Sequence, residues 1–335
     1  MAATATIKHV AREAGVSVAT VSRVMNESSL VAEHTRLQVL QVATRLGYVP
    51  HSGARSLITN RTSTIGVLLP DLYGEFYSEV IRGIDQTARR HDYHVLVSSS
   101  HADQHDIDTV LRSMRGRVDG LILMVPDLQV ASAVAMLPER FPLVLVNCAE
   151  ESRQHDAITV ANFEGADAMV RHLVDLGHTR IAMITGGERN FDAAERLRGF
   201  RSALEQAALS MEGDLILSGD FSETSGFRAG AELAQRASRP TAVFAANDAM
   251  AIGALSAFRE AGLDVPRDIA VVGFDDIPMA RYVDPPLSSV HVDISALGEC
   301  ATIRLLEAMQ QPAGHVVRRE IMPTTLVVRR SCGAL

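Results

Sequence analysis

The sequence predicts an all-α headpiece of about 50 residues followed by a two-lobe α/β body. Three observations carry this expectation. The apolar period changes from helical to strand-and-helix alternation near Pro50. The alternating part runs for about 270 residues, too many for one parallel sheet, so two similar lobes are expected. Charge changes sign at the same place. Residues 1–60 hold Lys8, Arg12, Arg23, Arg36, Arg45 and Arg55 against Glu13, Glu27 and Glu33, a net +3; the whole chain stands at −8, so the remainder carries −11. A basic head on an acidic body points to a polyanionic partner for the head alone.

The head reads as three short helices. Ile7, Val10 and Ala14 have helical spacing, with Thr6 where an N-cap belongs. Gly15-Val16-Ser17 interrupts, and Ser17 caps a second helix containing Ala19, Val21, Val24 and Met25. A third helix is expected from about His34 to Leu46, with Leu37, Leu40, Val42 and Leu46 as its apolar stripe and Gly47 as its stop.

Beyond a polar linker, His51–Asn60, apolar runs mark strands at Thr64–Leu69, His94–Ser98, Gly120–Val125, Leu143–Val146, Ile181–Ile184, Ala242–Ala245 and Ile269–Val272. Amphipathic helices between them include Glu75–Arg90, Gly165–Leu176, Ala193–Ala207 and Ala249–Ala261. A last strand is expected at Ile321–Val328.

Composition narrows the function. Apolar residues make up 47% and charged residues 21%, as in a soluble globular protein. No stretch approaches the roughly 18 apolar residues of a membrane span. The N-terminus lacks the apolar core of a secretory signal, so a cytoplasmic protein is expected. Cys148, Cys300 and Cys332 are scattered without metal-ligand spacing, so neither metal nor disulfide is expected. No nucleophile–base pair or cofactor fingerprint supports an enzyme. Thr185-Gly186-Gly187 lacks the spacing of a phosphate loop and reads as a tight turn.

The stretch Ile7–Asn26 has the logic of a helix-turn-helix. Ala11 is small where two helices cross, Gly15 tolerates a turn with positive φ, and Val16 and Val21 are apolar anchors. The second helix then presents Val18, Ala19 and Arg23 to base edges. Arg23 can pair bidentately with guanine, worth about 1–3 kcal/mol of discrimination. Val18 and Ala19 read only thymine methyls or exclude bulk. Ser17, Thr20 and Asn26 suit phosphates, and Thr6 joins this DNA-facing set. Periodicity alone fits a small three-helix core with surface hydroxyls equally well.

The segment VSVATVSRVMN is, almost letter for letter, the recognition segment of the lactose-repressor (LacI/GalR) family, which the chain resembles. Leu46-Gly47-Tyr48-x-Pro50 follows at that family's distance. The resemblance continues through Ala54-Arg55-Ser56-Leu57, Ile65-Gly66-Val67, Arg117–Ile122, His172-Leu173-x-x-Leu176-Gly177-His178, Arg196-x-x-Gly199-Phe200, Ala246-Asn247-Asp248 and Val272–Asp276. It implies double-stranded DNA with a pseudo-palindromic operator as partner, a homodimer, and a linker that folds on DNA and wedges Leu57 into the minor groove, with Arg55 nearby. Without the resemblance Leu57 reads as a linker residue packed on the body. Three departures stand out: His9 replaces a usual Asp, Ala32 replaces a capping Ser, and Gly53 replaces a larger apolar hinge residue. Glycine lowers helix propensity by about 1 kcal/mol, so the hinge is expected to depend strongly on DNA for its order.

The resemblance also implies a body with the periplasmic-binding-protein fold. The expected divisions are 1–50, 51–61 and 62–335, with lobe one at about 62–160 and 293–320 and lobe two at about 161–292 and 321–335. A small effector is expected between the lobes, at the carboxyl ends of strands. Carried over by position, its contacts are Asp71, Phe76, Tyr77, Asn147, Arg196, Phe221, Asn247 and Asp275. These suit a carbohydrate: Asp275, Arg196 and Asn247 for hydroxyls, the aromatics for the C–H face of a ring. The aromatics equally suit core packing, and Arg196 with Asp275 an inter-lobe salt bridge. Gly74-Glu75 in place of Asn-Pro, and Ala161 in place of an acid, leave a purine or another small metabolite open. The expected function is a DNA-binding transcription regulator, a repressor, that answers to a small molecule and uses no cofactor. The alternative is a solute-binding protein for transport, against which the missing signal and the helix-turn-helix argue. No leucine heptad follows the last strand, so a dimer is expected rather than a tetramer.

Overall fold

The computed structural model describes residues 5–25, 30–48, 61–100, 104–126, 130–148, 154–210, 213–311 and 314–334. The chain forms two compact units, Met1–Ser63 and Thr64–Leu335.

The first unit contains α1 (Ile7–Glu13), α2 (Val18–Met25) and α3 (Glu33–Arg45) around a core of Val10, Ala11, Ala14, Val21, Val24, Val39, Val42 and Ala43. The Thr6 N–H donates to His9 Nδ1 at 3.3 Å, so the imidazole serves the helix start in place of the usual Asp. Gly15 has φ 64°, a left-handed turn that costs glycine little. Ser17 Oγ accepts the Thr20 N–H at 3.0 Å and caps α2. Ala32 at the head of α3 offers no such bond. Gln38 Nε2 donates to Ala14 O at 3.1 Å, fixing α3 against the turn. The expected stripe on α3 needs correction. Leu37 and Leu40 are 57% and 43% exposed, while Val39, Val42 and Ala43 face the core. So small a core takes only one narrow face of α3, and valine and alanine fit its depth.

The second unit contains, in order, β1 (Thr64–Leu69), α4 (Glu75–Arg90), β2 (His94–Ser99), α5 (Gln104–Met114), β3 (Gly120–Leu123), α6 (Val130–Val134), β4 (Leu143–Val146), β5 (Asp156–Val160), α7 (Asn162–Asp175), β6 (Ile181–Thr185), α8 (Phe191–Gln206), β7 (Ile216–Ser218), α9 (Glu223–Ala234), β8 (Ala242–Ala245), α10 (Asp248–Glu260), β9 (Ala270–Asp275), β10 (Ser288–His291), α11 (Ile294–Gln310), β11 (Arg319–Met322) and β12 (Thr325–Val327). Two sheets result, ordered β11-β5-β4-β3-β1-β2 and β12-β10-β9-β8-β6-β7. All described pairings are parallel except β10 with β12. β3, β4, β8 and β9 are buried along their whole length, as strands covered by helices on both faces must be.

The chain changes sheet after Val160, after His291 and after Met322. The third change falls two residues beyond the expected 320/321 boundary. The strand expected at Ile321–Val328 is divided between the sheets, because Pro323 has no N–H to continue a ladder. β10 carried no apolar signal in the sequence. Its serines are buried through their hydroxyls: Ser288 Oγ donates to Arg329 O at 3.0 Å and Ser289 Oγ to Asp248 Oδ1 at 2.6 Å.

Candidate functional sites

On the headpiece, the α2 cap and the buried Val21 and Val24 set which residues face outward. Val18 is 43% exposed, and Ser17, Ala19 and Arg23 are exposed beside it. Thr20 Oγ1 lies 2.9 Å from Ser17 Oγ, so the two hydroxyls are tied together at the start of the helix. Among the described residues Arg23 has no ion-pair partner. Asn26, Gly53, Arg55 and Leu57 lie outside the described residues.

Within the second unit a cleft of about 240 Å³ opens between the two sheets, lined from the carboxyl ends of β1, β3, β4, β8 and β9 and from the loops before α8 and α9. That is somewhat below the usual ligand pocket, which runs from about 300 Å³ upward. The cleft brings together Phe76, Tyr77, Asn147, Arg196, Phe221, Asn247 and Asp275. Asp71 is placed elsewhere. Its Oδ1 accepts the Leu72 and Tyr73 N–H groups at 2.6 and 3.1 Å, and it serves the exposed turn after β1.

One wall is a polar network from the second sheet. Arg196 is 3% exposed. It donates from Nε to Asn162 Oδ1 at 2.8 Å and from Nη1 to Ala246 O at 2.5 Å, and Nη2 lies 3.1 Å from Asp275 Oδ1. Its guanidinium stacks 3.8 Å above the Phe274 ring. The Arg196–Asp275 ion pair lies within one lobe and does not bridge two. Asn162 in turn donates to Asp192 Oδ1 at 2.8 Å. Burial pushes the Asp275 carboxyl up to about 6 against the pull of Arg196, and the charge of Asp192 adds to the rise. Behind it the fully buried Asp248 is raised well above the carboxylate range, by burial first and then by Asp275. Asn247 is already in use: Oδ1 caps α10 through the Met250 N–H at 2.9 Å, and Nδ2 donates to Phe221 O at 3.0 Å.

The other wall comes from the first sheet and carries fewer polar groups. Phe76 and Tyr77 meet edge to face with ring centroids 5.6 Å apart. Asn147 is 1% exposed, and neither Oδ1 nor Nδ2 has a hydrogen-bond partner. Leaving such a group unsatisfied costs about 1–3 kcal/mol. Its φ of 49° is left-handed, as are φ 69° at Phe221 and 101° at Asp275. Three residues with positive φ thus gather at the cleft.

Residues that sequence reasoning passed over also line the cleft: Glu75, Met124, Asn190, Asp192, Glu223 and Met279. Asn190 was detectable, because it caps α8 through the Ala193 N–H at 3.0 Å and starts that helix two residues earlier than its apolar period suggests. The Thr185-Gly186-Gly187 stretch does close a turn, with the Asn190 N–H on Gly187 O at 3.0 Å. Gly186 has a second duty: a Cβ there would lie 2.2 Å from the Phe221 ring. Among the described residues no group of three His, Cys, Asp or Glu could hold a metal ion, and no helix is long and apolar enough to cross a membrane.

Known families match the chain in two stretches. Residues 6–51 match the family model of lacI-family bacterial regulatory proteins, and residues 170–332 match a periplasmic binding protein-like domain. The chain is 38% identical over 323 residues to the ribose operon repressor of Escherichia coli (strain K12), covering 95% of this chain and 97% of that protein. Its structure resembles the lac repressor dimer bound to operator and the anti-inducer ONPF, with TM-score 0.87, 31% identity and coverage of 98% and 99%. A LacI-family regulator from Enterococcus faecium with bound ribose matches with TM-score 0.72 and 28% identity, over 81% of this chain and 99% of that one.

Proposed function

Because this chain belongs to the lacI family of bacterial regulatory proteins, we propose that it is a cytoplasmic homodimeric repressor whose operator affinity is set by a small carbohydrate held between its lobes. One observation carries the effector half of this reading: the buried Asn147 amide faces the cleft with its donor and its acceptor both unpartnered. A hydroxyl both donates and accepts, so a polyol satisfies such an amide where an apolar ligand does not. Phe76, Tyr77 and Phe221 offer faces for the C–H side of a sugar ring. The ribose named for two similar proteins makes ribose the first probe. An effector changes operator affinity only by binding one arrangement of the lobes better than another.

On DNA, Val18, Ala19 and Arg23 are assigned to base edges. Thr6, Ser17, Thr20 and Asn26 are assigned to phosphates, and Leu57 and Arg55 to the central minor groove. With only Arg23 able to hydrogen-bond a base, much specificity falls to methyl contacts and DNA deformability. The test uses an operator selected from a random duplex library. Arg23→Ala should weaken it by about 1–3 kcal/mol and relax one position of each half-site. Leu57→Ala should lose the preference for the central step. Unchanged affinity and specificity in both variants would overturn the reading.

A further inference from the structure

Glu75 does something that its place at the start of a helix does not foretell. Its Oε2 accepts the Met279 N–H at 2.9 Å. Glu75 opens α4, beyond β1 of the first sheet, whereas Met279 lies in the short turn beyond β9 of the second. A carboxylate of one lobe therefore holds a backbone amide of the other across the cleft mouth, and both residues line the cavity.

The charge of the lining is one-sided. Among its described residues Glu75, Asp192, Glu223 and Asp275 are acidic, and Arg196 is the only cation. Each nitrogen of that guanidinium already has a protein partner, in Asn162, Ala246 O and Asp275. An anionic ligand would meet acids in a low-dielectric site with no uncommitted cation to offset them. The unpartnered Asn147 amide asks for a neutral group that donates and accepts.

We propose that Glu75 is a specificity-determining latch: it closes the lobes over an uncharged polyol and, with the other three acids, shuts out effectors bearing a phosphate or carboxylate group. This rests on the carbohydrate reading for its ligand but not for its latch, and the experiment separates the two. Full-length wild type, Glu75→Ala and Glu75→Gln are compared without ligand by hydrogen–deuterium exchange over residues 277–283. Loss of a hydrogen bond to a charged acceptor should speed exchange about tenfold in the Ala variant. The Gln variant, whose amide oxygen still accepts, should stay near wild type. Equal exchange in wild type and Glu75→Ala overturns the latch.

Thermal shifts are then read with matched pairs, ribose against ribose 5-phosphate and glucose against glucose 6-phosphate. In wild type a neutral member should bind at least tenfold more tightly than its phosphate ester, and Glu75→Gln should narrow that gap. A phosphate ester that binds wild type as tightly as its parent sugar overturns the exclusion. No response to any of the four overturns the carbohydrate reading and the exclusion with it, while the exchange result still decides the latch.

Discussion

The two walls of the cleft are built on opposite principles. The second-sheet wall is largely tied together before any ligand arrives: Arg196, Asn162 and Asp192 are joined by hydrogen bonds, Asp275 is held by its ion pair with Arg196 although its Oδ1 has no hydrogen bond, and Asn247 spends its amide on a helix cap and on Phe221. The first-sheet wall holds the unsatisfied Asn147, although its Glu75 is already bonded across the cleft. It brings two aromatic rings and a buried amide with nothing to bond. One wall is largely prebuilt, and on the other Asn147 gains its missing partners only when something lies between them. A ligand that completes Asn147 therefore favours the arrangement in which both walls touch it, which is the differential affinity a switch needs.

Breaking the prebuilt wall should cost most. Arg196→Ala strands the Asp275 carboxylate and Asn162 in the interior, and urea unfolding should show a loss of about 4 kcal/mol. A loss under about 1 kcal/mol would mean the network is not prebuilt.

The next effect is a pH dependence. Asp275 has a folded pKa raised from 3.8 to about 6, so its contribution to stability is complete below about pH 4 and is lost as pH rises through about 6. The loss amounts to about 3 kcal/mol. Urea titrations across pH 4–7 should show this decline in wild type, and Asp275→Asn should remove it from the curve. An identical slope in both proteins would contradict the burial argument.

Gly186→Ala is a smaller blow, struck behind Phe221 on the second-sheet side. The added methyl strikes the Phe221 ring and should cost about 2 kcal/mol by overpacking. In the double variant Gly186→Ala/Phe221→Ala the penalty of the methyl should vanish, and a double-mutant cycle that adds without coupling would show that the ring is not the obstacle.

Sequence and structure part company for physical reasons. The headpiece motif, the two lobes and most of the cleft were legible, because strands buried on both faces read as continuous apolar runs and the cleft lies where those strands end. β10 was not, since its buried serines are satisfied by hydrogen bonds and never read as apolar. β7 has three residues, too few for a period. On α3 the leucines outweighed the smaller residues in the pattern, yet Val39 and Ala43 are the ones at the core. Asp71 follows β1 at a plausible distance, but its Oδ1 is engaged by its own turn and it does not line the cleft. Glu75 and Met279 are 204 positions apart, and no local pattern announces a bond between them.

The wall that holds Asn147 offers the most direct test. Asn147→Gly removes the amide with its desolvation cost and keeps a residue suited to φ 49°, at an entropic cost of about 0.5–1 kcal/mol, so stability without ligand should not fall by more than about 1 kcal/mol. The decisive measurement is operator binding, with and without the sugar that stabilises wild type, for wild type and Asn147→Gly side by side. The variant should bind operator as wild type does, and the sugar should no longer change its affinity. A variant that answers to the sugar with the wild-type shift would contradict the role given to Asn147.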